Sequence, residues 1–502
     1  MNSPDILEGI LQGLTLWPIL AALGGLLMGV IVGAIPGLTA SITVAILLPF
    51  TFFVPPTVGI GFLLGIYKGA VYGGSIPAIL LNTPGTPAAA ATSLDGFALT
   101  TQGNSKKALQ MSLYASIFGD LLSTIVLLCV AAPLAALAIR FSAPEYAILF
   151  FASLILISTV SGGDKSKGIL SACLGALAGC VGLDSLTSAQ RFVFDIPELL
   201  GGIPLVPLII GMFALSEVLH QIALPSAPTP KGEVRHVGPA LERKELLRQV
   251  PTLFRSTSIG TFIGALPGLG AEIACWIAYG IAKQRSKEPE KFGQGSLEGI
   301  AAAESGANAT VPATLIPMLI FGIPGDVVTA VLIGAFVAPG ITPGPLLFSN
   351  HGAVIYALFT LLIVTNLALI VIGRLAIRSF SVVVRIPNTL LMSCIVVISL
   401  AGAYSINSDP YDVITMLVGG IMGLLMRSVS MPIPPFIIAV LLAPQLEKTL
   451  RQALALSDGS LLIFITRPIS AFFISILAVS AVYMVWKSAR RRAGTPSTRQ
   501  AT

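Results

Sequence analysis

The stretch GVIVGAIPGL, residues 29–38, interrupts an apolar run with a Pro-Gly pair. No Asp, Glu, Lys or Arg occurs between Glu8 and Lys68, and a run of this composition favours unbroken membrane helices. Proline lacks the backbone N–H and clashes with the preceding turn, while glycine adopts backbone angles that other residues avoid. The pair therefore predicts that one helix ends and another begins inside the apolar run.

The composition of the whole chain is that of a membrane protein. Of its 502 residues, 55% are hydrophobic and 10% are charged, whereas a soluble domain carries about 25% charged residues. Five runs approach or exceed the roughly 20 residues that cross a bilayer as a helix. These runs are residues 14–35, 111–139, 199–216, 354–373 and 468–486. We predict an all-α polytopic membrane protein with roughly 10 to 13 spans, because nothing alternates as a transmembrane β-barrel does.

The basic residues cluster in a few segments, which predict topology instead of nucleic-acid binding. The positive-inside rule places short Lys/Arg-rich segments in the cytoplasm, and it applies to a linker, residues 225–255, and to the tail, residues 487–502. The linker separates a first transmembrane repeat, residues 1–224, from a second repeat with C-terminal spans, residues 256–486. The N-terminus has no Lys or Arg before the first apolar run, so we expect that run to stay as a span and not to be a cleaved signal.

The motif that breaks the first apolar run recurs in the second half of the chain. GTFIGALPGL, residues 260–269, shares six of ten residues with GVIVGAIPGL. A second pair of segments follows in the same order, SIPAILLNTPGTP from residue 75 and LIPMLIFGIPGDV from residue 315. Matching residues are 231 apart in the first motif (Gly33 and Gly264) and 240 apart in the second (Pro84 and Pro324). Two motifs in the same order predict an internal repeat.

The charges around these motifs change sides between the two copies. Ahead of the first motif, and between the two motifs, the basic residues are concentrated in the second copy. After the second motif, the basic residues are in the first copy. They are Arg243, Lys244, Arg248, Arg255 and residues 283–291 in the second copy, against Lys68, Lys106 and Lys107 in the first. Because basic loops stay in the cytoplasm, the pattern predicts two inverted-topology repeats, which are common in secondary transporters.

A broken or re-entrant helix in a bilayer needs partners for its free backbone groups, since each unpaired group costs several kcal/mol. The helix that follows begins with free N–H groups and a partial charge of about +0.5, which attract carboxylates. We predict that four such helix starts, two per copy, converge near the membrane midplane; the alternative is an ordinary loop at each pair. The predicted substrate-binding residues are Pro36, Gly37, Thr39, Ser41, Asn82, Thr83, Pro84, Gly85, Thr86, Pro267, Gly268, Asn308, Pro324 and Gly325.

Charged residues within apolar segments indicate function, because such a charge costs at least about 3 kcal/mol at the bilayer centre. We predict that Asp326 and Glu304 bind the coupling cation. Asp326 also matches Thr86 of the first copy, and both residues fit helix N-caps. Lys68 has three possible roles: a contact with a substrate carboxylate, snorkelling to the membrane interface, or a pair with Asp95. Asp120 is predicted to be an interhelical hydrogen-bond partner.

Motifs of enzymes and ATPases are absent from the sequence. There is no GxxxxGK[ST] phosphate loop, no HExxH, and the three histidines are scattered, so nothing supports a hydrolytic site. We predict a protein that is not an enzyme and that has no cofactor besides Na⁺ or H⁺ as coupling ion. Two classes stay open, a cation-coupled transporter and a gated anion channel for small carboxylates.

Four segments give the chain a family resemblance: GAIPGLTASITVAILLPFTF, YGGSIPAILLNTPGTPAAAATSLDGF, GALPGLGAEIACWIAYG and AAAESGANATVPATLIPMLIFGIPGDVVTA. They resemble the large membrane subunit of the tripartite tricarboxylate transporters, the TctA family. The resemblance implies a multi-pass permease of the bacterial inner membrane that takes up an organic carboxylate with Na⁺ or H⁺. It also implies two partners, a periplasmic solute-binding protein and a small membrane subunit of about four spans.

Overall fold

The computed structural model describes residues 3–160, 164–184, 186–223, 238–383, 388–475 and 478. Regular structure in these residues is helical except for two short strands, β1 (Gly182–Leu183) and β2 (Gln190–Arg191), which pair antiparallel. The prediction of an all-α fold is confirmed.

The described part of the first half forms eleven α-helices, with one π-helical and three 3₁₀ segments between them. The α-helices are α1 (Ser3–Gly13), α2 (Leu16–Gly33), α3 (Ala40–Leu47), α4 (Pro56–Gly73), α5 (Ser75–Leu81), α6 (Ala90–Thr101), α7 (Ser105–Ala138), α8 (Ala143–Val160), α9 (Lys165–Gly179), α10 (Leu205–Ile209) and α11 (Ser216–Ala223). The 3₁₀ segments are Leu48–Phe53, Pro87–Ala89 and Pro197–Gly201, and the π-helix is Ile210–Leu215.

The described part of the second half forms another eleven α-helices and one 3₁₀ segment, Pro289–Lys291. The α-helices are α12 (Arg243–Arg248), α13 (Val250–Gly264), α14 (Gly270–Arg285), α15 (Leu297–Phe321), α16 (Val327–Val337), α17 (Leu347–Asn350), α18 (Gly352–Val383), α19 (Asn388–Asn407), α20 (Pro410–Ser428), α21 (Ile433–Ala455) and α22 (Ile463–Thr466).

Eight helical segments of the described chain are long and apolar enough to cross a membrane. They are Leu16–Gly33, Pro56–Leu81, Ser105–Ala138, Leu205–Ala223, Gly352–Phe380, Leu390–Asn407, Pro410–Ser428 and Ile433–Ala455. Four of the five apolar runs in the sequence overlap these segments, and the fifth, residues 468–486, lies largely outside the described residues. A polytopic membrane protein is confirmed, while the total of roughly 10 to 13 spans stays a prediction.

Rows of glycine bring α2 and α4 into backbone contact. The rows recur every fourth residue and consist of Gly25, Gly29 and Gly33 on α2 and Gly65, Gly69 and Gly73 on α4. A Cβ at any of these positions would overlap a backbone carbonyl oxygen of the opposite helix. Small residues at this spacing let membrane helices approach closely and gain van der Waals contact. The first Pro-Gly break therefore follows a helix that is held tightly along one side.

The second copy makes the same contacts at matching positions, between α13 and α15. The matched contacts are Gly29 to Ile66 and Gly260 to Gly306, followed one turn later by Gly33 to Ala70 and Gly264 to Thr310. In these contacts, the glycines of the two copies are 231 residues apart, and the residues that they touch are 240 residues apart. These two distances along the chain are the offsets of the two motifs. The sequence repeat is thus a repeat of helix packing as well.

The backbone at the breaks also repeats. The glycine of the first motif has a left-handed conformation in both copies, with φ of 92° at Gly37 and 82° at Gly268. The helix before the second motif ends on a left-handed residue in both copies, Asn82 (φ 55°) and Gly322 (φ 70°). The next N–H returns to a proline carbonyl in each case: Thr83 N to Pro77 O at 3.4 Å, and Ile323 N to Pro317 O at 3.2 Å.

The opposite membrane orientation of the two copies stays a prediction, as do the three boundaries between the four predicted segments. Residues 225–237 of the predicted linker and the whole tail, residues 487–502, lie outside the described residues. In the described part of the linker, α12 and the first residues of α13 are helical.

Two adjacent glycines of α2 test the packing between α2 and α4. We expect Gly25→Ala to destabilise the protein by about 1–3 kcal/mol, because the new methyl group would overlap the carbonyl of Phe62. Gly24→Ala is the matched control, because a Cβ there meets nothing within 4 Å and alanine favours helix. The measurement is the melting temperature of the full-length protein in detergent. Equal melting temperatures for the two variants would contradict the packing.

Candidate functional site

A cavity of about 600 Å³ lies where helices begin after all four Pro-Gly breaks. Its lining includes residues from each of the four helix starts: residues 39–42, 86–88, 268–273 and 326–328. The helices α3, α14 and α16 and the 3₁₀ segment Pro87–Ala89 begin within these stretches. Segments separated by more than 200 residues of chain thus meet around one space.

Hydrogen bonds and close contacts join the two breaks within each copy. In the second copy, the Gly268 N–H donates to the Gly325 carbonyl at 2.7 Å. In the first copy, the Gly85 N–H donates to the Gly74 carbonyl at 3.1 Å, and Gly85 packs so closely on Gly33 that a Cβ would overlap its carbonyl. The breaks therefore satisfy part of their backbone against each other, as buried polar groups require.

Asp326 is both a helix cap and a residue of the cavity lining. Its Oδ1 accepts a hydrogen bond from the Thr329 N–H at 2.8 Å at the start of α16, and its Oδ2 accepts one from the Tyr67 hydroxyl. The predicted capping role of Asp326 is therefore confirmed. Thr86 holds the matching position, but its hydroxyl makes no capping hydrogen bond and is buried without a partner among the described residues.

Segments that carry none of the four Pro-Gly breaks contribute a further wall of the cavity. This wall consists of Phe213, Glu217, Arg427, residues 431–434 and Ile438. Arg427 Nη1 and Glu217 Oε2 form an ion pair at 2.5 Å between α20 and α11. The sequence analysis missed both residues. The available signal was the isolation of Arg427, which is the only basic residue between Arg385 and Lys448.

Five predicted site residues line the cavity: Thr39, Ser41, Thr86, Gly268 and Asp326. The others form the breaks behind the lining or lie further away. Those in the breaks are Pro36, Gly37, Asn82, Thr83, Pro84, Gly85, Pro267, Pro324 and Gly325. The breaks therefore contribute mainly the first turn of each following helix to the cavity surface.

Glu304 and Asn308 belong to a separate buried cluster in the middle of α15. Glu304 accepts hydrogen bonds from the hydroxyls of Ser75 (2.6 Å), Thr92 and Ser116 (2.9 Å). Asn308 donates to the same Ser116 hydroxyl at 2.9 Å. The cluster adjoins the second break of the first copy, because Ser75 follows Gly74, the residue that accepts from Gly85. Glu304 thus lies behind the cavity wall.

Lys68 forms a buried ion pair with Asp120, with Nζ and Oδ2 2.8 Å apart and side chains 1% and 3% exposed. The pair joins α4 to α7, so the prediction that Asp120 connects helices is confirmed. The predicted pair of Lys68 with Asp95 was wrong, because Asp95 accepts from the backbone N–H groups of Gly293, Gly295 and Ser296. Snorkelling was also wrong, because the Lys68 side chain is buried. The contact with a substrate carboxylate stays a prediction, although Lys68 does not line the cavity.

Repeated units of broken helices around one cavity, in a polytopic helical protein, are a common architecture of membrane transporters. Comparison with known families agrees with this class. The family model described as "Tripartite tricarboxylate transporter TctA family" matches residues 19–438. The chain therefore belongs to the tripartite tricarboxylate transporter TctA family, a family of membrane transporter components.

Two curated relatives from Agrobacterium vitis are similar to the chain. One, described as an uncharacterized 52.8 kDa protein in the TAR-I ttuC' 3' region, is 36% identical over 442 residues, which cover 88% of this chain and 87% of the relative. The other, an uncharacterized protein in the TAR-II ttuC' 3' region, is 34% identical over 233 residues, which cover 46% of this chain and 96% of the relative. No solved structure matches the chain.

Removal of the Glu304 carboxylate should destabilise the protein. We expect Glu304→Ala to cost about 2 kcal/mol or more, because the buried hydroxyls of Ser75 and Thr92 lose their acceptor. Glu304→Gln keeps one acceptor oxygen, so its stability should lie between that of Glu304→Ala and that of the wild type. Exposed Glu290 provides the matched control, Glu290→Ala. If the melting temperatures of the Glu304→Ala and Glu290→Ala proteins agree, the cluster has no stabilising role.

Proposed function

We propose that this chain is the large permease subunit of a tripartite carboxylate transporter and couples uptake of an organic carboxylate to entry of Na⁺ or H⁺. The observation that carries the proposal is the meeting of four helix starts and the Asp326 carboxylate at one cavity. A symporter needs groups for an anion and groups for a cation close together, and this lining contains both. Membership of a transporter family supports the same conclusion.

The helix starts are suited to bind the anion. An α-helix carries a partial positive charge and free N–H groups at its N-terminus, and α3, α14 and α16 all begin at the cavity. The hydroxyls of Thr39 and Ser41, 2.9 Å apart, add hydrogen-bonding groups on the same lining. We propose that a carboxylate of the substrate binds at these helix starts, without a basic side chain from either copy.

The carboxylate of Asp326 is suited to hold the coupling cation, or the proton, beside the substrate. Oxygen ligands are those that hard cations prefer, and Glu272 supplies a second carboxylate in the same lining. A cation next to Asp326 would reduce the repulsion between this residue and a bound carboxylate, so that each ion favours the binding of the other. Glu304 is the second proposed coupling residue and would act from behind the cavity wall.

The family organisation supplies the proposed partners and location. We propose a multi-pass protein of the bacterial inner membrane that works with a small membrane subunit and receives substrate from a periplasmic solute-binding protein. We further propose that the chain catalyses no reaction and needs no cofactor besides the coupling ion. A separate binding protein would then select the substrate before it reaches the cavity.

Transport by the reconstituted complex tests this function. The full-length chain and its small subunit are placed in liposomes, and the binding protein and labelled citrate are added outside under an inward Na⁺ or H⁺ gradient. We expect citrate to accumulate inside above its external concentration, since gradient energy is coupled to uptake. Mere equilibration would instead support a gated anion channel.

A variant of Asp326 tests the coupling in the same assay. We expect Asp326→Asn to lose the dependence of uptake on the cation gradient, because asparagine still caps α16 but carries no charge. Asp409→Asn is the matched control, since Asp409 caps α20 through the Tyr411 N–H at 2.9 Å and does not line the cavity. Full gradient-driven uptake by the Asp326→Asn protein would contradict the assignment.

A further inference from the structure

Arg427 occupies a special position among the described residues that line the cavity, because it is their only basic side chain. It belongs to the last turn of α20, outside both copies of the repeat. Three carboxylates share the lining with it, Glu217, Glu272 and Asp326. The fixed side-chain charges of the lining therefore favour cations over anions unless Arg427 is free to contact the anion.

The guanidinium of Arg427 is only partly used by its ion pair. Nη1 lies 2.5 Å from Glu217 Oε2, while Nε is enclosed without a hydrogen-bond partner among the described residues. A guanidinium carries five N–H groups in a planar fork and binds carboxylates through two parallel hydrogen bonds. The contact with Glu217 leaves the Nε–H on this edge unpaired, and a movement of the Arg427 side chain would expose it for such an arrangement. Since buried polar groups are normally paired, this edge has the chemistry of an incomplete carboxylate site.

Glu217 has a second partner that remains when Arg427 moves away. Gln221 Nε2 donates to Glu217 Oε1 at 2.8 Å. The same amide packs on the first break, because a Cβ at Gly37 would lie 2.7 Å from Gln221 Nε2. Glu217 is thus linked to the first Pro-Gly break through Gln221, and Arg427 lies beside it on the neighbouring helix α20. Exchange of one carboxylate for another at Arg427 leaves Glu217 hydrogen-bonded.

We propose that Arg427 binds a carboxylate of the transported anion, and that Glu217 holds Arg427 in the empty site and is displaced by that carboxylate. This inference rests on the proposed function. It divides the recognition of the substrate between two parts of the fold. One carboxylate binds at the helix starts of the repeats, and a second binds at Arg427. An anion with two or more carboxylates uses both parts, whereas a monocarboxylate uses one.

Equilibrium binding to the full-length chain with its small subunit tests the exchange. The probes are labelled citrate, succinate and acetate, at constant Na⁺ concentration and pH. We expect Arg427→Gln to raise the Kd of citrate and succinate roughly tenfold, the effect of losing a hydrogen bond to a charged group, with a smaller change for acetate. The Kd values of the Arg427→Lys protein should lie between those of the wild type and Arg427→Gln, because lysine keeps the charge but not the planar fork of the guanidinium.

Glu217→Gln separates competition from a purely structural role. If Glu217 competes with the substrate for Arg427, its loss should lower the Kd of citrate, whereas a structural ion pair predicts weaker binding in both variants. Arg467→Gln is the matched control, because Arg467, directly after α22, pairs with Glu145 of α8 at 3.2 Å and neither residue lines the cavity. Melting temperatures show whether each variant is folded. If the Arg427→Gln protein is not folded, the Kd values of the Arg427→Lys and Glu217→Gln proteins decide the question.

Two results overturn the inference while the proposed function stands. In one, Arg427→Gln binds citrate as the Arg467→Gln control does. In the other, Glu217→Gln weakens citrate binding as strongly as Arg427→Gln. A wild-type complex that binds none of the three anions, and does not accumulate citrate in liposomes, contradicts the proposed function together with the inference.

Discussion

Backbone groups that leave a helix inside a membrane must find partners, because hydrocarbon offers none. This chain meets that constraint at four places, where a Pro-Gly pair ends one helix and starts another. In the second copy the breaks bond to each other, since the Gly268 N–H donates to the Gly325 carbonyl, and in the first copy Gly85 packs directly on Gly33. The helix starts that follow surround one cavity. The same backbone geometry thus solves a problem of stability and supplies partial positive charges at a site for an anion.

Glycine packing explains how the breaks are held in place. The backbones of α2 and α4 touch through glycines on both helices, and α13 and α15 touch at the matching positions. The close approach depends on the glycines, because an added methyl group would already overlap a carbonyl of the opposite helix. Each copy is therefore a pair of tightly packed helices that presents its breaks to the other copy. The wall formed by α11, α20 and α21, which carry no Pro-Gly break, borders the site on another side.

The sequence predicts most of the fold, because hydropathy and the Pro-Gly motifs are local signals. It also predicts which helix starts meet, since a break in lipid needs a partner. It does not predict the pairing of Lys68 with Asp120 or of Arg427 with Glu217, because each pair joins helices far apart in the chain. The sequence likewise does not predict the surroundings of Glu304, because its partners are distant in the chain. Hydroxyls from α5, α6 and α7 surround this carboxylate behind the cavity.

Cysteine protection tests most directly whether the four helix starts form one anion site. Single cysteines replace Thr39, Thr86, Ala271 and Val328, one after each break, in a protein whose five native cysteines have been removed. We expect a water-soluble thiol reagent to label all four positions, and citrate to slow labelling of all four with one common concentration dependence. Protection at one position alone, or at concentrations that differ between positions, would contradict a shared site.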